Sequence, residues 1–453
     1  MAESKNIIIN IGKKDVIWNY LATFLQVGSG IILFPVMLRM LSSEIIGIWA
    51  IFISISSLIR LLDFGFANSF TRNITYIFSG VNKLEKRGIS NDYVVGNINY
   101  KLLSDTISAM KWFYSRIALL VFLLLITFGT LYVNHVLSKS FSGNITEIRV
   151  AWAIFCIVNT YSIYTLYYDS LIIGSGKVMK DKQIIIVGQL CYLFIAFIAI
   201  SFGMGLLAIV LAQFISVLIR RFLSYRVFFT SDVKLVLEQS KSNSYIEIIK
   251  VLFSNSAKLG LTSIGAFLVL QSSVIVGSLY LSLSDIASYG ITMQVINVII
   301  GVSAVYYAAQ IPKISYLRVN GNHVKLKEIY LRSFLILLIT FLLGGAVTLL
   351  LGNQILILLK SKTLLLSTSM IIVLLVISLL EKNHAIAGGF LLSKNEVPFF
   401  KASLISGAIT IILLFLFIGV FKWGVWGMIL APGIAQVMYQ NWKWPLMLLK
   451  ELT

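Results

Sequence analysis

Charge is scarce in this chain: Asp, Glu, Lys and Arg make up 12% of its 453 residues, about half the share of a soluble domain. A water-soluble fold of this length is thereby excluded, because there are too few charges to cover its surface. Acids are scarcer than bases, 18 against 37. The two cysteines, Cys156 and Cys191, fall inside apolar runs, where thiols behave as small apolar groups, so neither a disulfide framework nor a metal site is expected. The three histidines, His135, His323 and His384, are scattered, and no HExxH or paired-acid motif exists to hold a catalytic metal. The Gly174-Ser175-Gly176-Lys177 run resembles a phosphate loop, but Leu171 stands where the Walker pattern needs glycine. An ATP-driven engine is therefore absent. No long segment is expected outside the membrane to carry the catalytic groups of a glycan polymerase or ligase, so the chain does not read as an enzyme, and no cofactor is expected.

What fills the chain is apolar: 58% of the residues are hydrophobic. Crossing ~30 Å of hydrocarbon takes ~20 such residues in a helix. Runs of that kind recur near 16–38, 45–67, 114–134, 149–172, 183–201, 203–219, 251–281, 286–311, 330–352, 364–392, 399–420 and 424–447. The fold class predicted is all-α integral membrane, with about twelve transmembrane helices. The polar lead before the first run lacks a small-residue cleavage site, so that helix is expected to be retained.

Net charge of +19 invites a nucleic-acid reading, yet topology alone explains it. Twelve spans put both termini on one side. That side holds 27 basic residues and the other six, with Arg60, Arg116, Lys258 and Lys382 within or at the edges of spans. The positive-inside rule then places both termini in the cytoplasm, and no nucleic-acid partner is needed.

The segment 220–250 divides the chain into an N-terminal bundle, 1–219, and a C-terminal one, 251–453. Its SDVKLVLEQSKSNSYIEIIK stretch reads as an amphipathic surface helix or as a plain linker. Two features suggest that the bundles are repeats related by a pseudo-two-fold axis. LSSEIIGIW and LSLSDIASY follow the first and seventh runs, and Glu44 to Arg72 is 28 residues, as is Asp285 to Lys313. The first half carries an insertion near 83–105. On this alignment Arg72 and Lys313 occupy equivalent cytoplasmic positions.

Ionisable groups inside the bilayer cost several kcal/mol unless they face protein or a water-filled cavity. Arg60 and Asp63 share a face of the second helix, Lys258 sits on the seventh, and Glu381, Lys382 and His384 lie near the middle of the tenth. Asp169 lies near the cytoplasmic edge. Local ion pairing and snorkelling are the bland alternative to a polar lumen. Tyr161, Tyr164 and Tyr168 line one face of the fourth helix, suited to stacking on sugar rings or to an ordinary helix interface.

The first two spans read LFPVMLRMLSSEIIGIW and LLDFGFANSFTR. Through Pro35, Arg39, Leu41, Glu44, Gly47, Trp49, Asp63, Phe64, Gly65, Phe66, Thr71 and Arg72 they resemble bacterial polysaccharide (O-antigen) flippases of the Wzx type. The resemblance is strong over the first 75 residues or so and loose beyond. It implies the multidrug/oligosaccharidyl-lipid/polysaccharide exporter superfamily, with two six-helix bundles around a cationic cavity and alternating access. It also implies an undecaprenyl-diphosphate-linked oligosaccharide repeat unit as substrate. On that basis Arg60, Lys258, Arg72, Lys313 and Lys382 are diphosphate-binding candidates, and Asp63, Glu381 and Asp169 are coupling candidates. A proton gradient, a sodium gradient or the membrane potential would supply the drive. The chain would act as a monomer among membrane lipids and beside glycan assembly proteins. A multidrug or cation antiporter of the same fold is the competing expectation, and a membrane glycan polymerase a weaker one.

The basic asymmetry makes the topology testable. Reporter fusions after Gly352 and after Lys450 are expected to report opposite sides of the membrane, and the same side for both would remove a span from the six-plus-six plan.

Overall fold

In lipid a backbone N–H or C=O has no water to bond, so an uncovered chain can cross only as a helix or a closed barrel. The computed structural model describes residues 13–84, 98–240, 245–319, 322–393 and 397–452, and the secondary-structure elements among them are all helices. Each predicted span overlies one. α1 is Lys13–Met40; α2, Ser43–Leu61, is followed by α3, Phe66–Phe78. α4, Tyr100–Leu124, runs through a π-helical turn into α5, Thr130–Ser140. α6, Ile145–Tyr164, and α7, Tyr167–Gly174, form the fourth span; α8, Val178–Ser201, and α9, Gly205–Phe228, are the fifth and sixth. The linker carries the short α10, Ser231–Gln239. α11, Tyr245–Leu270, and α12, Ser272–Tyr280, make the seventh span; α13, Leu283–Val319, α14, His323–Leu358, and α15, Thr368–Leu392, follow. α16, Phe400–Leu414, ends in a second π-helical turn, and α17, Val425–Val437, with α18, Gln440–Leu452, closes the chain. Among the described residues nine helices are long and apolar enough to cross a membrane, ten when the bent pair α11–α12 counts as one span. The runs outside that count are α1 and α17–α18.

Hydroxyls in these helices fold back onto carbonyls one turn earlier. Ser54 donates to Ala50 O, Thr71 to Ala67 O and Thr348 to Gly344 O. Such bonding satisfies a polar side chain inside its own helix. At the turn Leu125–Gly129 the Thr130 hydroxyl reaches the Leu125 carbonyl and accepts from Trp152 Nε1 at 3.0 Å. A Cβ on Gly129 would lie 2.8 Å from the Trp152 ring, so glycine admits the indole there.

The chain forms two compact units. Unit 1 takes the described residues of Met1–Val36, Ile59–Leu137 and Ser142–Gly260; unit 2 takes Met37–Leu58, Ser138–Phe141 and the described residues of Leu261–Thr453. In unit 1, α8 packs on α9, α3 on α7, α6 on α9 and α4 on α6. Its core gathers Phe66, Phe70, Phe113 and Tyr114 with Leu171 and Phe228, and Val233 and Leu237 of α10 pack against it. The linker helix is thus seated on the base of unit 1.

In unit 2, α13 packs on α14, α15 on α18 and α16 on α17. Its core joins Leu326, Leu337, Phe390, Trp444 and Leu448. Arg318 at the end of α13 ties in α15 and α18, donating to the Phe390 carbonyl at 3.1 Å and pairing with Glu451. Close approach between helices rests on small residues, as packing without a hydrophobic drive requires. A Cβ on Gly47 of α2 would lie 2.3 Å from the Leu283 carbonyl oxygen of α13. One on Gly265 of α11 would lie 2.4 Å from the Ser403 carbonyl carbon of α16.

Gly265→Val therefore forces backbone apart, and overpacking of this kind costs about 1–3 kcal/mol or more. The expected outcome is a lower melting temperature in detergent, whereas Gly28→Val, which has nothing among the described residues within 4 Å of its Cβ position, leaves it unchanged. Equal melting of the two variants would refute the α11–α16 contact.

Candidate functional site

Unit 1 collects the polar groups of the second to sixth spans. Between α2 and α3 the chain turns through Phe64 and Gly65, both in the left-handed region at φ 49° and 73°. The turn leaves N–H groups at the start of α3 without helical partners. Asp63 supplies one: its carboxylate accepts from the Ala67 N–H at 3.1 Å and from the Tyr114 hydroxyl of α4 at 2.7 Å. A Cβ on Gly260 would lie 2.5 Å from the Phe64 ring, so glycine on α11 leaves room for the turn.

Arg60, three residues earlier in the last turn of α2, is exposed. Among the described residues it has no carboxylate within 4.0 Å. Asp169 of α7 binds Arg221 of α9 through a bond of 2.6 Å, with Arg221 only 6% exposed. Asp181 pairs with Lys182 at 3.1 Å. Arg220 lies in electrostatic reach of Asp169, Asp181, Arg221 and Arg60. Its stem crosses α8 at Gly188, where a Cβ would sit 2.2 Å from Arg220 Cγ, and its buried Nε has no hydrogen-bond partner among the described residues. Asp63 thus holds a helix end, Asp169 and Asp181 each stand beside a base, and Arg60 has no carboxylate at contact distance among the described residues.

The tyrosine face divides. Tyr161 and Tyr164 belong to α6, the helix breaks at Thr165 and Leu166, and Tyr168 belongs to α7. Tyr168 also meets Tyr167, Tyr225 and Phe229. Arg72 is exposed on α3. The side chains of Lys258 and Lys313 lie outside the described residues, as does most of the 83–105 insertion. The paired 28-residue intervals are built differently: the first is interrupted between α2 and α3, the second is continuous within α13.

Unit 2 holds the other expected group. Glu381 of α15 lines two cavities, of about 390 Å³ and about 230 Å³. His384 is in the first, where its Nδ1 meets Asn441 Oδ1 at 2.8 Å, and Lys382 is in the second. Gln436 of α17 also lines both; it is 2% exposed and its side-chain oxygen has no hydrogen-bond partner among the described residues. Val269 and Leu270 line both too, beside the break at Gln271 where α11 and α12 bend by 41°. A carboxylate, an unpartnered amide oxygen and a broken helix are the parts from which membrane transporters build cation sites.

Sequence reasoning missed Tyr114, Arg220, Arg221 and Gln436. The two arginines read as topological charges beyond the sixth span, and α9 extends through them to Phe228. Tyr114 and Gln436 carry no local signal, since their roles depend on partners far along the chain.

No protein-family model matches the chain, and no curated protein does. Solved structures do. An inward-facing multidrug resistance MATE family transporter of the MOP superfamily shares 15% identity at TM-score 0.65, covering 97% of this chain and 99% of its own. The lipid II flippase MurJ in an inward closed conformation shares 16% at TM-score 0.61, covering 96% and 87%. A MOP superfamily transporter from Pyrococcus furiosus, described by the reverse polarity of its binding pocket, shares 14% at TM-score 0.58, covering 99% and 98%. At these identities the likeness is one of fold: the chain has the multi-pass, all-helical fold of MOP superfamily transporters.

Proposed function

We propose that this chain is a flippase that carries a polyprenyl-diphosphate-linked oligosaccharide from the cytoplasmic to the periplasmic leaflet of a bacterial inner membrane. Alternating access through a cationic cavity would accomplish the transfer. One observation carries the reading: Arg60 is exposed within a predicted span while its nearest acid in sequence, Asp63, is occupied by Tyr114 and the start of α3. An arginine facing lipid is costly, so an exposed one belongs on a water-filled path. There its planar guanidinium suits a diphosphate, to which it can donate two parallel bonds. The resemblance of the first two spans to polysaccharide flippases and the fold shared with a lipid II flippase support the same substrate class. Lys382 in unit 2 is a further contact on this reading, as are Arg72, Lys258 and Lys313. With the cytoplasm negative, each negative charge moved outward gains ~2.3 kcal/mol per 100 mV.

The second reading is a multidrug or cation antiporter. Glu381, lining both cavities of unit 2, favours it, because an acid beside an unpartnered amide attracts a cation. In the flippase reading the same acid takes the coupling ion, proton or sodium. Polarity is what separates the two, and one structure of this fold is described by a pocket of reversed polarity and a different function.

A charge series at Arg60 tests the proposal. Arg60→Lys, Arg60→Ala and Arg60→Glu, at equal membrane levels, are expected to rank surface-glycan assembly as basic, neutral, acidic, with lipid-linked repeat units accumulating in the inner leaflet as function falls. Equal activity of the Lys and Glu variants would overturn phosphate attraction, and altered tolerance to cationic drugs with glycan assembly intact would favour the antiporter. Glu381→Gln is expected to abolish dependence on the ion gradient without changing the Arg60 ranking.

A further inference from the structure

A third cavity lies outside all of these groups except Tyr168. It occupies about 420 Å³ in unit 1, where the ends of α4, α7 and α9 meet α10, and that size is within the range of small-ligand sites. The positive-inside reading puts it on the cytoplasmic side. Its wall is aromatic. Tyr168 stands edge-on to Tyr225 and to Phe229, with ring centres 6.2 and 6.1 Å away, and Tyr225 and Phe229 lie 5.2 Å apart.

Two ammonium groups rest on that wall. Lys111 of α4 lies 5.7 Å from the centre of the Phe229 ring, and Lys234 of α10 lies 4.9 Å from that of Tyr225. Among the described residues no carboxylate comes within 4.0 Å of either. Glu238, which also lines the cavity, is one turn from Lys234 and leaves the pair uncancelled. Contact with a ring face is a modest interaction for an exposed cation, and both lysines are exposed. They are therefore held at the cavity with their hydrogen-bonding capacity unspent.

Each component selects a part of the ligand. Two lysines suit a phosphate group, which takes charge-assisted bonds from both. Three rings beside them suit an apolar ring face, such as that of a pyranose, which a simple phosphate does not offer. Two positive charges against one negative disfavour an organic cation.

We propose that this pocket binds a phosphorylated sugar on the cytoplasmic side of unit 1. The sugar is either the headgroup of a lipid-linked saccharide, which rests on the flippase reading, or a soluble sugar phosphate, which does not. Because α10 belongs to the linker and supplies Lys234, the pocket also couples ligand binding to the segment joining the two halves of the sequence.

The test is titration calorimetry on the full chain in phosphatidylcholine nanodiscs. The probes are N-acetylglucosamine 1-phosphate, a short-chain polyprenyl-diphosphate-linked N-acetylglucosamine, and inorganic pyrophosphate. At least one sugar-bearing probe is expected to bind, and the tighter of the two identifies the source. Lys111→Gln with Lys234→Gln, both exposed and so harmless to folding, should weaken that probe by about tenfold or more. Tyr225→Leu with Phe229→Leu should weaken it similarly and leave pyrophosphate unchanged. Arg60→Glu should abolish glycan assembly and leave binding intact, which separates failure of this pocket from failure of the flippase reading. No saturable binding of either sugar-bearing probe up to about 10 mM overturns the proposal. So does unchanged affinity in the lysine pair variant, or pyrophosphate binding as tight as the sugar-bearing probes.

Discussion

The carboxylate of Asp63 stands where a membrane helix has to stop and restart. A break in a span exposes backbone N–H groups that lipid cannot satisfy, so the chain must provide an acceptor on the spot. Asp63 does this for the start of α3 and takes a second bond from Tyr114 on α4. The turn through Phe64 and Gly65, the room left by Gly260 and the aromatic core around Phe66 and Phe70 all follow from that placement. Its oxygens are turned to α3 and α4, and among the described residues they form no ion pair within 4.0 Å with Arg60, one turn earlier.

Two further acids of unit 1 stand beside bases: Asp169 is hydrogen-bonded to Arg221, and Asp181 lies 3.1 Å from Lys182. Taking two charges out of water repays itself only with good geometry and further hydrogen bonds, so such pairs act as fixed struts. Unit 2 differs: Glu381 lines cavities beside the unpartnered oxygen of Gln436 and the break at Gln271.

Hydropathy made the helices legible, because a run of about twenty apolar residues has few other uses. Each predicted span overlies helix in the structure. The interruptions were hidden for the same reason. Asp63 to Gly65 and Gln271 sit inside apolar runs, and a window long enough to detect a span averages over a three-residue break. Partnerships were hidden by distance: Tyr114 lies 51 residues from Asp63 and Arg221 lies 52 from Asp169, beyond any local pattern. The tyrosine stripe runs across an interruption at Thr165 and Leu166, which spacing counted on an unbroken helix does not show.

Net charge also changes meaning once each base is located. A count of lysine and arginine orients the chain in the membrane but treats every residue alike. In the structure Arg221 is buried in an ion pair, Arg318 fastens the end of α13, Lys111 and Lys234 lie on aromatic rings, and Arg60 is exposed without a carboxylate. Only charges of the last two kinds are available to a phosphate, because a paired base must first give up a bond it already has. The positive excess that sets topology is thus much larger than the charge a ligand would meet. Local polarity has to be read from which acids already have hydrogen-bond partners, and in unit 1 Asp63 and Asp169 do.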